Sequence, residues 1–121
     1  MAADRPSFDD LVAAVRTFRD ERDWAQFHNP KDLAVSISIE AAELLEHFQW
    51  KDTDAVREHL GNPEARAAVS DEMADVLLLL VSCADSLGVD LLDAAFSKLS
   101  QNSAKYPVEK SRGRADKYDR L

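Results

Sequence analysis

The stretch from residue 64 to 86 constrains the fold more than any other part of the chain, because it is long, helical in spacing and apolar on more than one side. Val69, Met73, Val76, Leu77, Leu80 and Val81 recur at helical intervals, and Leu78 and Leu79 widen the apolar surface beyond one stripe. A surface helix of a lone monomer needs only a single stripe. This segment therefore has to be covered on several sides, by sister helices or by a second subunit. Its apolar character begins beside a group of acids, Asp71, Glu72 and Asp75.

The other periodic segments are also helical, and proline and glycine fall between them, where helix punctuation belongs. Ser7 with Asp10 forms a capping-box pattern ahead of Phe8, Leu11, Val12, Val15 and Phe18, which predicts a helix over about 8–22. Asn29-Pro30 reads as an N-cap followed by proline at the first helical position, opening a helix over about 30–48 with Leu33, Ile37, Ala41, Leu44 and Phe48 on one stripe. Thr53–Leu60 is a short helix ended by Gly61, and Asn62-Pro63 repeats the start signal for the long segment. Gly88 stops that segment, Asp90 caps the next, and the last helix carries Leu91, Leu92, Ala95, Phe96 and Leu99 before fading near Lys105, with Pro107 beyond it. Val35-Ser36-Ile37-Ser38-Ile39 alternates like a strand, but its neighbours keep helical spacing and the segment is read as helix. The expected fold is all-α: a bundle of four main helices plus a short one, completed by oligomerisation. The expected domain spans 1–108, followed by a basic C-terminal tail over 109–121.

With 121 residues, the chain suits one domain with a modest core of its own, which partner subunits would supplement. Its longest strictly apolar run, Val76–Val81, is six residues, against roughly 20 for a bilayer span. Met1–Pro6 has no export-signal pattern, and the single cysteine, Cys83, cannot form an internal disulfide, so cytoplasmic residence is expected. The net charge of -8 argues against a nucleic-acid polymer as partner. Charge is uneven, however: Lys98–Leu121 holds seven Lys/Arg against three acids, and the rest of the chain eight against twenty. Such a basic end suits either a solvated tail or direct contact with a polyanion.

Glu40, Glu43 and Glu46 follow one another at i, i+3, i+6, and Glu72 and Asp75 are again three apart, each pair lying where its helix turns apolar. Carboxylates crowded among apolar neighbours resist ionising, and a hard divalent cation removes that penalty. Oxygen donors without clustered histidines favour Mg2+, with Mn2+ as the alternative, over zinc. The same spacing also suits solvent-facing acids, and only helices that face each other would make the set a metal site. Trp24, Phe27 and His28 lie in a helix link and Trp50 follows the second helix, where aromatics either stack on a base or fill a core. Lys98, Asn102, Lys105 and Tyr106 run along one side of the last helix, a set able to hold phosphate oxygens. The chain carries no P-loop, dinucleotide glycine pattern or nucleophile elbow.

Taken together, these segments resemble the MazG-like all-alpha NTP pyrophosphatase superfamily, most closely its dCTP pyrophosphatase branch. The resemblance is carried from about Phe18 onward by Arg22–Leu33, Glu40-Ala41-Ala42-Glu43-Leu44, Phe48–Lys51, Asp71–Leu77, Val89-Asp90-Leu91, Asn102–Val108, Arg112-Gly113 and Lys117-Tyr118. It implies a homotetramer, a dimer of dimers, whose sites draw on more than one subunit. It further implies that Glu40, Glu43, Glu72 and Asp75 are magnesium ligands, that Trp24, His28 and Trp50 lie near base and sugar, and that Lys98, Asn102, Lys105 and Tyr106 receive the rest of the substrate. The implied reaction converts a nucleoside triphosphate to the monophosphate and pyrophosphate; one of the four carboxylates would act as general base, a choice the sequence leaves open, with Glu43 the one favoured. One position departs from the pattern: Leu79 stands where that branch commonly has a tyrosine in the base pocket, which weakens the implication that cytosine is the chosen base. The alternatives are a catalytically silent bundle binding nucleotides or protein partners, a structural or antitoxin-like oligomer, and a dUTPase-like enzyme on the same helices.

Overall fold

The structure is a computed structural model that describes residues 4–121, so the first three residues of the Met1–Pro6 reading lie outside those described. Six α-helices and two 3-10 turns are present, and there is no strand among the described residues. The helices are α1 (Phe8–Glu21), α2 (Pro30–Glu46), α3 (Thr53–Gly61), α4 (Pro63–Leu87), α5 (Leu91–Lys105) and α6 (Val108–Ser111). The 3-10 turns cover Ala25–Phe27 and Tyr118–Arg120. The chain forms two compact units, one running to Gly88 and the other Val89–Leu121.

Local chemistry explains each helix start. The Ser7 hydroxyl accepts from the Asp10 N–H at 3.1 Å while the Asp10 carboxylate accepts from the Ser7 N–H at 2.8 Å, a complete capping box. Asn29, Asp52, Asn62 and Asp90 cap α2, α3, α4 and α5 by accepting first-turn N–H groups, and proline opens both α2 and α4. Gly88 ends α4 at φ 67°, a left-handed conformation that glycine adopts without the Cβ penalty. The alternating Val35–Ile39 segment lies inside α2, where the Ser38 hydroxyl donates back to the Ala34 carbonyl at 3.1 Å. Helix-period contacts thus prevail over β-branched composition there.

In the first unit α4 is the central element, and α1, α2 and α3 all pack on it, α2 most extensively. Leu33 of α2 and Val69, Val81 and Ala84 of α4 are the buried apolar residues. At the far end of α4, Asp85 accepts from Arg16 and Arg19 of α1, each at 2.6 Å, so an ionic clamp supplements the apolar contact of the two helices. In the second unit, the expectation that helix ends near Lys105 holds, but the chain is not structureless beyond Pro107. Proline has no N–H to lose at a helix start, its carbonyl accepts from Lys110 and Ser111, and α6 forms, which adds a sixth helix to the five expected. Tyr118 packs edge-on against Tyr106 with centroids 6.1 Å apart, and the Lys105 ammonium lies 4.9 Å from the Tyr118 ring. No helix is long and apolar enough to cross a membrane among the described residues.

Candidate active site

Packing of α2 on α4 sets the acidic residues of the two helices against each other. Glu40, Glu43 and Glu72 each offer a carboxylate oxygen, and the three oxygens lie within 4.8 Å of one another. The Oε2 atoms of Glu40 and Glu72 are buried and have no hydrogen-bond donor. Ionised carboxylates only accept, so three of them at this range leave one another unsatisfied and mutually repelled. The Glu40 carboxyl is accordingly pushed up to about 7, first by its close approach to the Glu43 carboxyl, then by that to Glu72, with burial and the charges of Glu43 and Asp75 adding to the effect. This donor set fits a hard divalent cation, which would satisfy the orphaned oxygens and relieve the repulsion at once.

Asp75 lies one turn beyond Glu72 and, with Glu40, lines one part of a cavity of about 460 Å³. The walls are built mainly by α1, through Leu11, Ala14, Val15 and Phe18, and by Leu78 and Leu79 of α4. Trp24 and His28, from the α1–α2 link, complete it together with Arg19 and Ser82. Trp24 packs edge-on against Phe18 with centroids 5.7 Å apart and tilts toward His28 at 6.5 Å. His28 Nδ1 is buried without a partner, leaving a polar atom available in a largely apolar enclosure. A cavity of this size, apolar with a few convergent polar groups and a carboxylate cluster at its edge, has the build of a small-molecule site.

The structure thus brings together Glu40, Glu43 and Glu72 as one cluster, and Glu40, Asp75, Trp24, His28 and Leu79 around one cavity. Trp50 is not part of that lining: it is 94% exposed and has φ 64°, unusual for a residue with a Cβ. Lys98, Asn102 and Lys105 lie on α5 in the second unit, with Asn102 half-buried and both lysines exposed. Tyr106 is the C-cap of α5 at φ -120°, and its N–H still makes the last helical bond, donating to the Asn102 carbonyl at 2.9 Å. The contribution of α1 is the part that sequence reasoning missed. Its stripe was legible as a packing face, but nothing in the periodicity says that Leu11 and Val15 enclose a cavity, and Arg19 and Ser82 gave no signal.

An α2–α4 pair with converging carboxylates beside an apolar cavity defines the class: an all-helical protein whose three-glutamate cluster could hold a metal ion next to a cavity of small-molecule size. A family model described as MazG-like matches residues 35–121. The chain is 41% identical over 116 residues to dCTP pyrophosphatase 1 of Mus musculus, covering 96% of this chain and 68% of that protein. Against dCTP pyrophosphatase 1 of Homo sapiens it is 38% identical over the same length and the same shares. The crystal structure of a pyrophosphatase from Archaeoglobus fulgidus superposes with a TM-score of 0.78 at 40% identity, covering 88% of this chain and 98% of that one. The chain belongs to the MazG-like family, and by its sequence and fold it is classed with the pyrophosphatases, as a hydrolase.

Proposed function

We propose that the protein hydrolyses a nucleoside triphosphate, dCTP or a modified dCTP, to the monophosphate and pyrophosphate with Mg2+, or Mn2+ in its place, as cofactor. The observation that carries this reading is the convergence of Glu40, Glu43 and Glu72, with two buried oxygens that have no donor. The names of its relatives supply the choice of nucleotide. Glu40, Glu43, Glu72 and Asp75 would hold the metal, which when bound supplies charge neutralisation for a triphosphate that four carboxylates would otherwise repel. In the same reading Glu43 accepts the proton of the water that attacks the α-phosphorus. The bond from that phosphorus to the bridging oxygen breaks, and pyrophosphate leaves with its electron pair.

The remaining assignments follow from the chemistry of each side chain. Trp24 offers a face for stacking a base, and His28 offers its free Nδ1 to a polar base or sugar atom. Leu79 closes the pocket with a surface that cannot hydrogen-bond, so base selection has to rest on the other groups. Trp50, Lys98, Asn102, Lys105 and Tyr106 are proposed to reach the substrate in the assembled oligomer, the lysines neutralising charge on the departing phosphates. That oligomer is proposed as a homotetramer, a dimer of dimers. The reading is supported by large apolar side chains left exposed on one chain, among them Met73, Leu77, Phe96 and Leu99. Residues 1–108 are assigned to the catalytic domain and 109–121 to a basic tail, and the compartment to the cytoplasm.

The test is a panel of canonical and modified dNTPs incubated with the protein and Mg2+, with the phosphate products resolved. Monophosphate plus pyrophosphate is expected, with the rate reduced at least about a hundredfold in Glu43→Ala and in Asp75→Ala. Absence of turnover on every nucleotide by folded, magnesium-loaded protein would overturn the reading and favour a silent binding bundle.

A further inference from the structure

Outside the carboxylate cluster, a second group of metal-competent side chains is set where two helices end. His47 is the C-cap of α2 and His59 lies in the last turn of α3, and the chain between them folds back so that both reach one place. His47 Nδ1 and His59 Nε2 are 3.4 Å apart, a hydrogen bond in which one imidazole N–H donates to the other ring according to tautomer; the rings are tilted by 37° and the pair is partly buried. These nitrogens have the spacing of two ligands on one ion. With metal–nitrogen bonds of about 2.0–2.1 Å and a tetrahedral angle, two imidazole nitrogens on one zinc are separated by about 3.3–3.4 Å.

The backbone gives an independent argument for positive charge at the same place. The carbonyl ends of α2 and α3 carry the negative poles of their helix dipoles, and both histidines stand at those ends. Neutral imidazole is a ligand for zinc, nickel and copper and a poor one for magnesium, so the pair and the glutamates would select different cations. His47 follows Glu43 by one helical turn, yet the donor atoms are a separate set: neither histidine belongs to the cluster of Glu40, Glu43 and Glu72.

We propose that His47 and His59 form a two-imidazole chelate for a transition cation of the zinc or nickel type, which ties the last turn of α3 to the end of α2. Water fills the remaining coordination positions. The segment enclosed by the tie holds Trp50 at φ 64°, so an occupied chelate restrains the backbone that sets this exposed aromatic. The inference does not depend on the hydrolase reading, because the donors and their spacing are independent of any nucleotide.

The probe is Zn2+, titrated into the full-length, metal-stripped protein in a large excess of Mg2+. Calorimetry on wild type, His47→Gln and His59→Gln, each checked for helicity, is expected to show one zinc event that weakens by about tenfold or more in both variants. Any zinc taken by the glutamates is common to all three proteins and cancels in the comparison. Should a variant fail to fold, nitrogen-15 spectra of the wild-type imidazoles provide the readout, with zinc expected to move His47 Nδ1 and His59 Nε2 together. Equal zinc affinity and stoichiometry in wild type and both folded variants, or unmoved signals from the two histidines at saturating zinc, would overturn the proposal.

Discussion

Replacing Asp85 by asparagine removes the charge that fastens α1 to α4. The Arg19 arm of the clamp joins side chains that are 18% and 14% exposed, so it is a charge-assisted bond largely shielded from water, worth about 1.5–3 kcal/mol. The Arg16 side chain is 55% exposed, and solvent screening reduces its arm to about 0.2–1 kcal/mol. Asparagine keeps the shape and part of the hydrogen bonding, so the expected loss is about 1–3 kcal/mol. The Asp85 carboxyl is held below the usual carboxylate range by Arg16 first and Arg19 next, against the opposing effect of burial. A depressed folded-state value means that the unfolded chain binds more protons in the acid range. The clamp therefore stabilises fully above the unfolded value, near 3.9, and is lost as pH falls through the folded one. Urea unfolding followed by circular dichroism, at one protein concentration and at several pH values, measures both effects. The gap between wild type and Asp85→Asn should be full at pH 7 and narrow as pH falls below the unfolded value toward the depressed folded one. A gap under about 0.5 kcal/mol at pH 7, or one that persists unchanged into acid, would refute the reasoning.

Two further outcomes are expected. Leu33 is 4% exposed and is the buried residue through which α2 meets the core, so Leu33→Ala should cost about 2–4 kcal/mol in the same unfolding measurement, whereas Ala at an exposed position such as Val35 should cost far less. In metal-free protein the raised Glu40 carboxyl makes the folded state bind more protons than the unfolded chain, so stability should fall as pH rises from about 4.5 toward 7. Mg2+ should abolish that dependence, as should Glu40→Gln without metal, and a thermal-melt series across pH with and without Mg2+ reads both.

How much of this was legible beforehand differs from element to element. The caps were readable because each is a contact between residues two or three apart: Ser7 with Asp10, Asn29 with Asp32, Asn62 with Glu64 and Ala65. The carboxylate pairs were readable as pairs because an i, i+3 spacing puts both members on one side of a helix whatever the fold. The strand-like alternation at Val35–Ile39 was outweighed by the helical spacing on either side of it. By contrast α6 escaped notice, because Pro107 marks equally well the end of one helix and the start of another.

The sequence by itself determined that the five longer segments are helical, about where they begin and which acids share a turn, since all of these depend on neighbours along the chain. Only the tertiary structure decided that Glu40 and Glu43 face Glu72, that α1 walls a cavity with Leu11, Val15 and Phe18, and that His47 meets His59. Each of those joins residues from different helices. The angle and register at which two helices pack are set by the fit of whole side-chain surfaces, which no local spacing encodes.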